Sequence, residues 1–76
     1  MKDLVEFIAK ALVDQPEQVS VERLEDNYAI TLELRVAPED MGKVIGKQGR
    51  IAKAIRTVVN AAAVNEKKRV LVDIVQ

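Results

Sequence analysis

The chain has 76 residues, with 12 basic and 12 acidic side chains, and it contains neither cysteine nor histidine. This length predicts a single domain over residues 1–76 with a modest core. Disulfides, thiolate metal sites and the commonest general base are excluded, so we expect no metal, no other cofactor and no enzyme. No signal-peptide or membrane-spanning pattern is present, and a cytoplasmic protein is expected.

The formal net charge of zero conceals an uneven distribution. Residues 1–40 carry four basic and ten acidic side chains, a net charge of −6, whereas residues 41–76 carry eight basic and two acidic side chains, a net charge of +6. Such asymmetry indicates interaction with a polyanion. The alternative is that the two halves of the domain complement each other electrostatically.

The first predicted helix opens at Asp3, because Asp3 and Glu6 have the spacing of a capping box. Pro16 ends it, since proline cannot continue a helix. The residues expected on its apolar face recur at helical spacing: Leu4, Phe7, Ile8, Ala11 and Leu12.

Two strands follow and form a predicted hairpin. In the first, Val19 and Val21 alternate with polar residues, and residues 25–27 supply the turn. The second strand, residues 28–36, alternates more clearly. One of its faces carries Tyr28, Ile30, Leu32, Leu34 and Val36.

Pro38 begins a short second helix with Met41, Val44 and Ile45 on its apolar side. We expect Gly46 to end this helix in the left-handed conformation. A third helix is predicted from Arg50 to Val64, with apolar positions Ile51, Ile55, Val58, Val59 and Ala62. A polar loop over 65–68 and a last strand over 69–75 complete the chain.

The predicted order is therefore αββααβ. Helices between the second and third strands form a crossover, so these strands should be parallel, whereas the hairpin strands are antiparallel. This predicts an α/β fold of the α+β two-layer type: a mixed three-stranded sheet of order 1-2-3 with three helices on one face.

The segment from Met41 to Arg56 holds all three glycines and five basic residues but no acidic one. Its Gly46-Lys47-Gln48-Gly49 corner precedes a helix N-terminus, where free N–H groups and partial positive charge favour an anion. Lys43, Lys47 and Arg50 surround this point, and Lys53 and Arg56 extend the charge along the helix. The alternative is an ordinary helix–turn–helix connection with a solvated basic face.

Other glycine motifs fit less well. The phosphate-loop pattern G-x-x-x-x-G-K-[ST] is not met, because Gly42 and Gly46 are one residue too close and Gln48 replaces the hydroxyl residue. The dinucleotide pattern G-x-G-x-x-G is absent from the sequence.

"VIGKQG" followed by a basic amphipathic helix resembles the signature of the KH domain, and the order αββααβ resembles its type II form. Over essentially the whole chain, the layout is similar to the small bacterial stand-alone KH proteins of the KhpA (YlqC) family. The resemblance implies single-stranded RNA binding, with a G-x-x-G loop, here Gly46, Lys47, Gln48 and Gly49, contacting the backbone of about four nucleotides.

The resemblance also implies an RNA groove beside the loop. One wall would come from the helices on either side of the loop, and the other from the second or third strand and the loop over 65–69. The further residues implied at this site are Lys43, Val44, Ile45, Arg50, Ile51, Lys53, Arg56, Lys67, Lys68 and Arg69.

Family members are associated with RNA chaperone or post-transcriptional roles, with homodimers and with a larger KH-containing protein, KhpB. Ala61, Ala62 and Ala63 are small enough for close helix approach, although they equally suit core packing. Phe7 is expected in the core, and Tyr28 is the only other aromatic residue, so binding should not rest on stacking. The alternative function is a protein-interaction or dimerisation module with weak or vestigial RNA binding.

Overall fold

The structure of the chain is a computed structural model that describes residues 1–75, apart from the side chain of Lys47. Its helices are α1 (Lys2–Leu12), α2 (Pro38–Ile45) and α3 (Arg50–Ala62), and its strands are β1 (Ser20–Glu25), β2 (Ala29–Arg35) and β3 (Arg69–Val75). Short 3-10 turns occupy Pro16–Gln18 and Lys47–Gly49. The predicted order αββααβ is confirmed.

The sheet has the predicted order β1-β2-β3. β1 and β2 are antiparallel and pair Ser20 with Arg35 and Glu25 with Ile30. β2 and β3 are parallel, from the pair Ala29 and Arg69 to the pair Arg35 and Val75. β2 is therefore the central strand, and β3 has a free edge along which another molecule can approach.

The core lies between one face of the sheet and the helices. Ile30, Leu32 and Leu34 of β2 alternate with partly exposed residues, as expected for a strand covered on one face. α1 packs against β1, β2 and α3, whereas α3 packs against β3 and α2. The main buried apolar residues from the helices are Val5, Ala9, Val44, Ala52, Ile55 and Val59.

The predicted apolar face of α1 is wrong in its orientation. Val5 and Ala9 are the buried residues, and Ile8 packs at the margin of the core. Phe7 is 73% exposed, and Leu12 is also exposed. Apolar residues occur on several sides of this short helix. Their helical spacing was therefore compatible with more than one buried face. The predicted capping box is also absent, because Met1 is the N-cap and no side chain caps the helix.

Asp40, in the first turn of α2, is a buried side chain, 1% exposed. Its carboxylate accepts hydrogen bonds from the backbone N–H groups of Asp14, at 3.1 Å, and Gln15, at 3.0 Å. These groups follow the end of α1, so Asp40 ties that end to the start of α2. This contact fixes the position of α2, and the glycine corner follows directly after the C-terminus of that helix.

α3 and β2 are shorter than predicted. α3 ends at Ala62 rather than Val64, and Val58 and Ala62, both expected in its apolar face, are exposed. Tyr28 precedes β2 and is 83% exposed instead of facing the core. β3 has the predicted bounds.

Candidate nucleic-acid interface

The glycine corner begins where α2 ends at Ile45. Gly46 has φ −78° and ψ −178°, an extended conformation, so the prediction that it is left-handed is wrong. Its N–H donates a 2.7 Å hydrogen bond to the carbonyl oxygen of Gly42. A β-carbon at Gly46 would collide with that oxygen. Glycine is therefore required at position 46 for close approach rather than for a positive φ.

The left-handed residues of the corner are Gln48 and Gly49, with φ of 63° and 67°. The N–H of Gly49 bonds the carbonyl oxygen of Gly46 at 2.8 Å, which closes the turn. Apart from Gly49 and its two chain neighbours, no heavy atom of the described residues lies within 4 Å of the position that a Gly49 β-carbon would take. This side of the backbone is open to an incoming molecule.

The α3 helix begins immediately after the corner. Gly49 is its N-cap, and none of the described side chains caps its first turn with a hydrogen bond. The first backbone N–H groups of a helix have no partner within the helix and carry partial positive charge. The start of α3 therefore suits a phosphate oxygen, and the exposed Arg50 lies at the same end.

A groove runs from the corner along α3, with β3 on its other side. Its inner part, near the corner, has a volume of about 510 Å³. The inner part is lined by Ile45, Gln48, Gly49, Ala52, Lys53, Arg56, Asp73 and Ile74. Its outer part, about 390 Å³, is lined by Arg56, Asn60, Ala63, Lys68, Arg69, Val70, Leu71 and Val72. Arg56 lines both parts, so the two parts adjoin at this residue.

β3 forms the second wall of the groove with its free edge. The guanidinium of Arg56 donates from Nη2 to the carbonyl oxygen of Val72, at 3.4 Å. An edge strand presents unpaired N–H and C=O groups, and this contact shows one such carbonyl facing the groove. Sequence reasoning left the second and third strands open, but β2 is central, so the wall is the third strand.

Seven of the predicted site residues line this groove: Ile45, Gln48, Gly49, Lys53, Arg56, Lys68 and Arg69. Gly46 lies at the corner, and the exposed Arg50 and Lys67 line neither part. The ammonium of Lys43 lies 3.2 Å from the carboxylate of Asp14, on the side of α2 that meets the end of α1. The side chain of Lys47 lies outside the described part of the chain.

Val44 and Ile51 do not form the wall that was predicted for them. Val44 is 1% exposed and belongs to the core, because the buried side of α2 is defined by Asp40 and Val44, four residues apart. Ile51 is half-buried and packs against the core. Ile45, the next residue after Val44, is 49% exposed and supplies the apolar surface instead.

Lys68 is held by the hairpin. Its ammonium donates to the carboxylate of Glu25 at 2.6 Å and to the carbonyl oxygen of Asp26 at 2.8 Å. The hydrogen bond from Lys68 lowers the pKa of the Glu25 carboxyl. The backbone N–H groups of Tyr28 and Ala29 lower the pKa of Asp26. Lys68 thus fixes the loop at the outer end of the groove, while Arg69 stays exposed.

Sequence reasoning missed Asn60 as a part of the groove. Asn60 lies four residues after Arg56 on α3, so helical spacing placed both on one side of the helix. The predicted strand order 1-2-3 already placed the third strand at an edge of the sheet, but it left open which strand would line the groove.

Neither a bilayer crossing nor a metal cluster is found in the described part of the chain. None of its helices has the length and apolar character that spanning a membrane requires. No three acidic side chains there are grouped so that they could hold a metal ion.

A G-x-x-G corner between the second and third helices of an αββααβ domain, beside a groove walled by the third strand, defines a type II KH domain. The family model described as "KhpA/KhpB, KH domain" matches residues 2–74. The chain belongs to this family.

Relatives match over almost their whole length. The chain is 67% identical to the RNA-binding protein KhpA of Clostridium perfringens over 75 residues, which cover 99% of this chain and 100% of that protein. The KhpA of Clostridium acetobutylicum gives the same identity and coverage. The KhpA of Aquifex aeolicus is 47% identical over 76 residues, 100% of this chain and 96% of the relative. No solved structure gave a significant match.

Proposed function

We propose that this chain is a non-catalytic, single-stranded RNA-binding protein that holds the RNA backbone with its G-x-x-G loop. The observation that carries the proposal is the groove beside α3, whose two parts adjoin at Arg56 and together extend from Gln48 and Gly49 to Arg69. The relatives named as RNA-binding proteins support the same function.

Different parts of the groove suit the phosphates and the bases of RNA. Phosphates suit the uncapped start of α3 and the cations Lys53 and Arg56 that follow it. Bases suit the apolar surface of Ile45 and the free edge of β3, where backbone groups can pair with base edges. RNA would therefore lie along α3 with its backbone at the helix and its bases toward β3.

An RNA chaperone or post-transcriptional regulator is the role we propose for such binding in the cytoplasm. Most of the recognition comes from the loop backbone, the start of a helix and cations, none of which distinguishes one base from another. A protein that binds many unpaired segments weakly suits transient rearrangement of RNA better than selection of one sequence.

The test replaces Lys47 and Gln48 with Asp and measures binding to single-stranded RNA over a range of salt concentrations. Two carboxylates at the loop should repel phosphate, so the affinity should fall steeply while circular dichroism stays unchanged. The matched control is Lys2→Asp with Gln18→Asp, which makes the same change in charge and residue type on α1 and the first 3-10 turn.

The control should keep the affinity of the wild-type chain. Equal loss in both double variants would mean that net charge alone governs binding. Unchanged affinity in the loop variant would contradict the loop assignment.

Homodimerisation is a second proposed property, favoured by the exposed end of α3. The sequence allowed Ala61, Ala62 and Ala63 either to pack in the core or to meet another helix. Ala61 and Ala62 are exposed, so core packing is wrong for these two residues. Ala63 is half-buried against the core. Val58 and Val64 are exposed apolar residues of the same region. We propose that these residues meet a second copy, or the KH domain of a KhpB-like protein, by close helix approach. The alternative of an interaction module with vestigial RNA binding rests on this surface alone.

Sedimentation of the wild-type chain and of Ala62→Asp tests the interface. A charge at an exposed position should leave the fold intact and produce a monomer. A variant that unfolds, or one that sediments as the wild type does, would contradict this assignment. Ala11→Asp is the control, because Ala11 is an exposed helical alanine that lies on α1 instead of α3.

A further inference from the structure

Tyr28 is an exposed aromatic side chain that the groove does not include. It is the only tyrosine of the chain, and the chain has no tryptophan. Its exposed fraction is 83%, larger than that of any other large apolar or aromatic residue among those described. Because the ring is so exposed, packing in the core does not account for an aromatic residue at this position.

Tyr28 lies beside the outer end of the groove. The N–H of Arg69 donates to the carbonyl oxygen of Tyr28 at 3.4 Å, and the next residue, Ala29, pairs with Arg69 across β2 and β3. Arg69 and Lys68 line the outer part of the groove. An RNA strand that leaves the groove past Arg69 therefore passes close to the backbone of Tyr28.

The backbone that carries Tyr28 is fixed before any ligand arrives. The carboxylate of Asp26 accepts hydrogen bonds from the N–H groups of Tyr28, at 2.7 Å, and Ala29, at 2.8 Å. The ammonium of Lys68 holds the carbonyl oxygen of Asp26 and the carboxylate of Glu25. The backbone of such a turn needs little further ordering when a ligand binds, which favours affinity.

We infer that Tyr28 is a stacking platform for an unpaired base immediately beyond the groove. The inference rests on the proposed RNA-binding function and extends its footprint beyond the nucleotides held beside the G-x-x-G loop. The carboxylates of Glu25 and Asp26 disfavour a phosphate at the hairpin, so a base is the part of the RNA that suits Tyr28. Because every base has an aromatic face, the contact adds affinity without selecting a sequence.

Tyrosine fluorescence tests the inference on the unmodified protein, since all of the tyrosine emission comes from Tyr28. Single-stranded oligoadenylate and oligouridylate of about four and about eight nucleotides serve as probes. Saturation with the longer RNA should quench the emission strongly, because a stacked base quenches tyrosine. The shorter RNA, held in the groove, should quench it much less.

Variants give a second readout. Tyr28→Ala should lower affinity for the longer RNA by about 5- to 100-fold, with little effect on the shorter one. Tyr28→Phe keeps a ring and should bind as the wild type does. The salt dependence should be unchanged, because stacking releases no counterions. Phe7→Ala is the matched control: Phe7 is also exposed, but it lies beside Asp3, Glu6 and Lys10 of α1.

The outcomes separate this inference from the function on which it rests. Tight RNA binding with unchanged tyrosine emission and an unaffected Tyr28→Ala variant would overturn the platform and leave the groove assignment intact. Emission that changes with protein concentration in the absence of RNA would overturn it in favour of a protein contact. A wild-type chain that binds neither RNA would overturn both proposals.

Discussion

The N–H of Gly46 bonds the carbonyl oxygen of Gly42 at a distance of 2.7 Å, and that oxygen occupies the space that a β-carbon at Gly46 would need. The end of α2 and the start of the glycine corner are therefore joined by a contact that only glycine permits. Gly42 itself has open space around the position of a β-carbon. A side chain would therefore collide with the backbone at Gly46 but not at Gly42.

Gly46→Ala should destabilise the fold by about 1–3 kcal/mol, because the helix end must shift to remove the collision. Gly42→Ala is the matched control and should stabilise the fold by up to about 1 kcal/mol, since alanine is the better residue inside a helix. Urea denaturation of both variants measures the difference. Equal free energies of unfolding would contradict the steric argument.

Asp40→Ala should lower the free energy of unfolding by about 2–4 kcal/mol, because the N–H groups of Asp14 and Gln15 lose their carboxylate acceptor. Asp40→Asn retains one acceptor oxygen and should lie between this variant and the wild type. Glu39→Ala is the control, since Glu39 is exposed and bonds only the side-chain amide of Gln15 among the described residues. Its effect should stay within about 0.5 kcal/mol. A neutral Asp40→Ala variant would show that water replaces the carboxylate.

Arg56→Ala should weaken RNA binding roughly tenfold and reduce the salt slope by about one, because one cation leaves the middle of the groove. Stability should change little, since Arg56 is exposed and its bond to Val72 is long. Arg23→Ala removes the same charge from β1, at the opposite edge of the sheet, and should retain the wild-type affinity. The two variants are compared by RNA titration over a range of salt concentrations. Parallel losses would show that only net charge matters.

Stability should fall as the pH drops below about 4, the usual range for carboxyl groups. The pKa values of Asp26 and Glu25 are lower in the folded chain than in the unfolded one, owing to backbone N–H groups and Lys68 respectively. Their stabilisation is complete above the unfolded pKa and is lost as the pH falls through the folded pKa.

Asp26→Asn keeps an oxygen acceptor without a titrating group, so its stability should fall less on acidification than that of the wild type. Asp26→Ala removes the acceptor and should be destabilised at neutral pH as well. Denaturation measured over a series of pH values checks both expectations. An acid-induced loss of stability that is the same in the Asn variant and in the wild type would contradict the contribution of Asp26.

The order of elements and the place of the corner could be predicted because they depend on short-range chemistry. The alternation of Ile30, Leu32 and Leu34 predicts a half-buried strand whatever lies on top of it. Pro38 and the paired glycines mark helix ends through backbone constraints that are local to them. The absence of acidic residues between Met41 and Arg56 is likewise visible in the sequence alone.

Which side chains are buried was decided by tertiary packing. Val5 and Ala9, rather than Phe7 and Leu12, face the core, because the apolar residues of α1 cover a wider arc than the surface it packs against. Val44 and Ile45 are neighbours in sequence, yet α2 is oriented so that one enters the core and the other lines the groove. Asp40 became a buried acceptor only because α2 meets the end of α1.

The sequence by itself therefore determined the αββααβ order and a cationic, backbone-exposed corner, since both follow from residues close together in the chain. Only the tertiary structure decided that β3 walls the groove, that Arg56 reaches Val72 and that Tyr28 stands uncovered beside Arg69. These relationships join residues far apart in sequence. Their physical cause is the way the helices pack against the sheet and against one another, which no local pattern of residues records.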